Sequence, residues 1–160
     1  EKFKECLSNN SINKDRLFET DKKIAKVLSL LNPKINKFKS LAIIYGTLWA
    51  SYSDAKNIKL ELDYIQGICD PIFLSEALKE SKGIPYKNNF YKKKFKSLIN
   101  SKKHKLSLVE KSDILDKISL VAAVDGNLHQ KEKDVLYAAS KLLNLPKNYV
   151  DTVIKKIRLK

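Results

Sequence analysis

Apolar residues recur every three or four positions along most of this chain and almost nowhere on alternate positions. That period belongs to helices. Leu17, Ile24, Val27, Leu28 and Leu31 form one stripe, which Asn32 and Pro33 close. Phe38, Leu41, Ile44 or Tyr45, Leu48 and Trp49 form the next, in a segment apolar most of the way round from Leu41 to Ala50. A helix apolar all round is buried, so this segment is expected at the centre. "IKLELDYIQGI" gives a shorter helix. Asp70 and Pro71 then supply an N-cap and a first helical residue for a helix ending at Gly83. Ser107 and Glu110 have the spacing of a capping box, ahead of a stripe of Leu108, Ile114, Leu115, Ile118, Val121 and Ala122. Val135, Leu136, Ala139, Leu142 and Leu143 mark another helix. Val150, Val153, Ile154 and Ile157 mark the last, with Pro146 near its start. The pattern predicts an all-α bundle of about seven helices joined by short turns.

Composition agrees with a folded chain. The 160 residues are 43% hydrophobic, with four Gly and four Pro. That length suits one domain over 1–160. The chain opens on "EKFKE" without Met and reads as a piece of a longer protein. It has no secretory signal and no apolar run of about 18 residues, so no transmembrane segment is expected in it. Cys6 and Cys69 are too few and too scattered for a disulfide framework or a zinc site. They read as ordinary thiols of a reducing compartment, the cytoplasm, with any membrane association resting on a segment outside this piece.

The net charge of +14 is concentrated. From Ser81 to Val109 there is no acidic residue, and nine lysines fall within that stretch. Lys92, Lys93, Lys94, Lys96, Lys102, Lys103 and Lys105 are the candidate anion-binding residues, for nucleic acid or an anionic lipid surface. Phe90, Tyr91 and Phe95 are interleaved with them and could stack on bases or lie in a lipid interface. The alternative is a solvated lysine face whose Phe90, Phe95, Leu98 and Ile99 join the core. Arg, the better residue for bidentate phosphate contacts, occurs only at 16 and 158.

Little else resembles catalytic machinery. His104 and His129 sit in polar contexts, and no Ser, Cys or Lys has the neighbourhood of an activated nucleophile. Glu61 with Asp63, and Glu132 with Asp134, are two apart and so face different ways on a helix. There is no glycine-rich phosphate loop. No enzymatic activity is expected.

"VDGNLHQKE", residues 124–132, has the second half of an EF-hand loop. With Gly126 at the invariant glycine, Asp125 takes the preceding ligand position and Glu132 the last. The first half fails, because its ligand positions hold Val121 and Ala123, which belong to the apolar helix. The stretch therefore reads as a helical corner. Gly126 takes a left-handed position there, and Asp125 caps the free N–H groups of the next helix near His129 to Glu132.

"ISLVAAVDGNLHQKEKDVLYAASKLLNLP" resembles the TerB domain of bacterial tellurite resistance, found also at the start of DjlA-type co-chaperones. Val124, Asp125 and Gly126 match its Ala-Asp-Gly, Leu128 its apolar residue, and Glu132 its last acidic helix-start residue. Leu143, Asn144 and Leu145 match its Leu-Gly-Leu close. His129 stands where Ser or Thr usually caps, and Lys131 replaces an acidic residue. Asp54 and Glu61 repeat the spacing of Asp125 and Glu132 in an earlier turn, where Ala55 replaces the glycine. The match is best over 113–157. The resemblance implies an all-helical, non-enzymatic interaction or adaptor domain of a stress-response or co-chaperone-type protein, with a protein partner. It also implies a weak divalent cation site, for calcium, on Asp125, Glu132, Asp54 and Glu61, with Gly126 and His129 as structural turn residues. The basic segment leaves nucleic acid or an anionic membrane surface open as the alternative partner.

Overall fold

A computed structural model of the chain describes residues 33–54, 58–102, 105–124, 126 and 128–158. The chain divides into two units, Glu1–Lys37 and Phe38–Lys160. Of the first, only the opening of a helix is described, and the stripe predicted over 17–31 lies outside the described residues. Among the described residues there are seven helices and no strand. They are α1 (Pro33–Asp54), α2 (Ile58–Ile68), α3 (Pro71–Glu80), α4 (Lys87–Lys102), α5 (Leu108–Ala122), α6 (Gln130–Leu142) and α7 (Lys147–Arg158). No helix among them is long and apolar enough to cross a membrane.

Local signals account for several boundaries. Asp70 Oδ1 accepts from the N–H groups of Ile72 at 2.9 Å and Phe73 at 3.2 Å, which begins α3. Ser107 Oγ accepts from the Glu110 N–H at 3.1 Å and begins α5. The end of α6 is a Schellman turn: the Leu145 N–H donates to the Ser140 carbonyl at 2.8 Å and the Asn144 N–H to that of Lys141 at 3.1 Å. Asn144 takes φ +58° there, the left-handed conformation that Asn tolerates better than most residues.

The α1 helix is the core element. Phe38, Ala42, Ile44, Tyr45, Leu48, Trp49 and Ala50 are all buried, as are the polar Thr47 and Ser51. Thr47 Oγ1 is satisfied by donating back to the Ile43 carbonyl at 2.7 Å. Aromatic rings join α1 to α4: Trp49 lies 5.8 Å from Phe95, and Tyr52 stacks 5.8 Å from Tyr91. The α5 helix packs on α2, α6 and α7, and α6 also packs on α4 and α7. Polar ties reinforce this frame, Lys39 to Asp113 at 2.6 Å and the Tyr149 hydroxyl to Asp116 at 2.8 Å.

Gly46 marks the closest approach of α1 to its neighbours. A Cβ at this position would stand 2.4 Å from Ile118 Cδ1 and 3.2 Å from Phe95 Cε2. Both side chains are fully buried, so neither swings into solvent to make room. The α5–α6 corner needs glycine for a different reason. Gly126 has φ +86° and open space around its Cα, so the demand there is conformational. Its N–H donates to the Ala123 carbonyl at 2.9 Å, turning the chain just after α5.

Two outcomes follow for stability. Gly46→Ala gains about 1 kcal/mol of helix propensity but overpacks a filled core, a cost of about 1–3 kcal/mol. A net loss is expected in urea unfolding, and Ile118→Val, which removes the Cδ1 methyl, should reduce it in a double-mutant cycle. Strict additivity would show that the contact is not felt. Gly126→Ala should cost about 1 kcal/mol through the left-handed backbone alone, and an unchanged melting temperature would contradict that conformation.

Candidate functional site

One polar cluster interrupts the core. It forms where the end of α1 and the start of α2 meet the corner between α5 and α6. Asp54 is the last residue of α1, Glu61 lies in the first turn of α2, His129 is the N-cap of α6, and Glu132 lies in its first turn. Ligand atoms of Asp54, His129 and Glu132 all lie within 4.8 Å of one another. His129 Nε2 is 3.7 Å from Asp54 Oδ2. Glu132 is 0% exposed and Glu61 4% exposed.

Helix geometry puts Glu132 there. Its Oε1 accepts from the His129 N–H at 3.2 Å, which satisfies a donor left free at the helix start. This closes the turn of α6 and aims the rest of the carboxyl inward. Oε2 is buried and has no hydrogen-bond partner. The Glu61 carboxyl adjoins that of Glu132. Burial above all raises the Glu132 pKa, with the neighbouring Glu61 adding to the rise and the His129 N–H opposing it, so that it stands at about 8.

Of the four residues named as cation ligands from sequence, Asp54, Glu61 and Glu132 come together at this corner, and Asp125 lies outside the described residues. His129 is the N-cap of α6, and the capping role expected of Asp125 lies outside the described residues. The sequence places His129 in the turn, and the structure adds its imidazole to the carboxylates. The available signal was its position three residues before Glu132, which places an N-cap side chain beside an N3 carboxylate.

The basic segment is arranged differently from a stacking platform. Tyr91 and Phe95 are fully buried and Phe90 is half-buried against the core. The Tyr91 and Phe95 rings are thereby enclosed by protein, and Lys94 stands 5.6 Å from the centre of the half-buried Phe90 ring. Lys92, Lys93, Lys94, Lys96 and Lys105 are exposed, Lys102 closes α4, and Lys103 lies outside the described residues. Lys94 pairs with Glu80 at 3.1 Å, and Lys92 stands 5.9 Å from the centre of the Trp49 ring. Cys69 is half-buried, and burial raises its thiol to about 11, the opposite of what a nucleophile needs. Comparisons with protein-family models, with curated proteins and with solved structures found no match for this chain.

The buried pair has a pH signature. Unfolded, Glu132 titrates at its ordinary 4.5, and folded at about 8. Between these values the folded state holds a proton that the unfolded state has released. This contribution is complete below the lower value and is lost as pH rises through the upper one. In EDTA, the urea midpoint should fall from pH 5 to pH 8, and Glu132→Gln, which carries its own donor, should flatten the fall. Parallel profiles for the two proteins would disprove the raised Glu132 carboxyl.

Proposed function

We propose that this domain is a non-enzymatic, TerB-like interaction module in which a weakly bound divalent cation ties the α1–α2 corner to the α5–α6 corner. The observation that carries this reading is the orphaned Oε2 of Glu132, buried beside Asp54, His129 and Glu61. A buried carboxylate needs a proton, a donor or a cation. Below its raised pKa Glu132 meets that need with a proton, and the Asp54 carboxylate and His129 imidazole complete a set of cation donors. Bound there, a cation would supply positive charge to these carboxylates in place of that proton.

The donor set selects among ions. Calcium takes six to eight oxygens, and this corner offers three carboxylates and a nitrogen. Imidazole with carboxylates suits manganese, zinc or iron better than calcium. Lys131 is exposed and Lys133 half-buried beside Glu132, and their charge weakens any cation site. The module role and its setting in a stress-response or co-chaperone-type protein rest on the resemblance of the corner and on the absence of catalytic motifs in the sequence. A tied corner is the kind of rigid element on which a docking surface is built.

Calorimetric titration of EDTA-treated protein with manganese, zinc and calcium tests the cation. Binding of micromolar strength or weaker is expected for manganese or zinc. It should release protons, so that the observed heat varies with the ionisation enthalpy of the buffer, and it should be lost in Glu132→Gln and in Asp54→Asn. No heat with any of the three ions, or binding that survives both substitutions, would refute the site.

A further inference from the structure

A second feature, on the surface, shares no residue with the polar corner. A cavity of about 610 Å³ opens between α1, α2, α3 and the start of α4. Its apolar wall is Tyr52, Pro71, Leu74 and Leu78. Its basic side is Lys79, Lys82 and Lys87, and no acidic residue lines it. None of the three lysines lies within salt-bridge distance of a carboxylate among the described residues. The neighbouring Glu80 is engaged by Lys94. Lys79 lies in the last turn of α3, where a cation also offsets the helix dipole. Lys82 and Lys87 have no such role, and Lys87 opens α4, whose positive dipole end adds to theirs.

The wall is held from beneath. The Tyr91 hydroxyl donates to Ser81 Oγ at 2.6 Å, and Ser81 Oγ donates to the Leu78 carbonyl at 3.1 Å. Tyr91 also stacks behind Tyr52, whose ring Lys87 approaches at 5.7 Å. The cavity is thus a shaped, fixed feature of the fold, within the size range of ligand sites.

We propose that this cavity captures an acidic peptide segment of a partner protein, with one large apolar side chain against Leu74 and Leu78 and flanking carboxylates on Lys79, Lys82 and Lys87. Unpaired lysines around an apolar recess match a ligand that is apolar at one point and negative beside it. The apolar surface continues outside the cavity, since Ile72 and Tyr86, chain neighbours of the lining Pro71 and Lys87, are 67% and 71% exposed. That extent exceeds a small anion and suits a peptide. Nucleic acid is disfavoured because Tyr52, the aromatic residue of the wall, is already covered by Tyr91 and Lys87.

The test is selection of a random peptide display library on the full chain, with and without EDTA, followed by fluorescence anisotropy on synthetic copies of the enriched peptides. Peptides with Asp or Glu flanking a Leu, Phe or Trp are expected in both conditions, so failure of the cation site leaves this result standing. Ser75→Glu places a negative charge at an exposed lining position, and Lys79→Gln with Lys82→Gln removes two exposed charges. Each variant should keep its helical melting curve and bind at least about tenfold more weakly, a loss of about 1.4 kcal/mol. Enrichment without acidic residues, binding unchanged in both variants, or no enrichment at all would overturn the proposal. So would a single-stranded oligonucleotide that binds the same cavity and is lost in the same variants.

Discussion

The burial of α1 is the constraint on which the rest of the structure depends. A helix apolar around most of its circumference has to be enclosed, and two helices reach its surface at one point, Gly46. The lack of a side chain there lets Ile118 of α5 and Phe95 of α4 close on the backbone of α1. The aromatic contacts of Trp49 and Tyr52 with α4 follow from that approach. The interior is dense and incompressible, so the position of α1 sets where its ends emerge. Its C-terminal Asp54 emerges at the first turn of α6, against His129.

The polar corner is a consequence of the same packing. Glu132 caps the start of its helix, which is a local role, but the helix start is covered by α1 and α2 and the carboxyl is left without water. Buried carboxylates are costly unless something neutralises them. A proton held by the raised pKa of Glu132 is one solution. A carboxyl of this kind makes the stability of the fold sensitive to pH.

Charge is distributed by a separate logic. The lysines of α4 stay outside while Tyr91 and Phe95 are drawn inside, and the resulting surface is basic. Where that surface meets the apolar groove beside α3, the two properties coincide in one cavity. Lysine on such a rim supplies a point charge to any nearby carboxylate, with little demand on its geometry.

Helix periods, the Asp70 and Ser107 caps, the left-handed turn at Gly126 and the central burial of α1 were all legible in the chain, because each depends on neighbours within about one helical turn. The like spacing of Asp54 and Glu61 to that of Asp125 and Glu132 was legible too, but as a spacing only. That Asp54, Glu61 and Glu132 share one corner, that His129 joins them, and that the rings of Tyr91 and Phe95 turn inward were decided by tertiary structure. Periodicity says which face of a helix is apolar, but not which other helix will cover it. Two residues more than seventy positions apart meet only when the packing of α1 against α4 and α5 brings their helix ends together, and no local pattern records that distance.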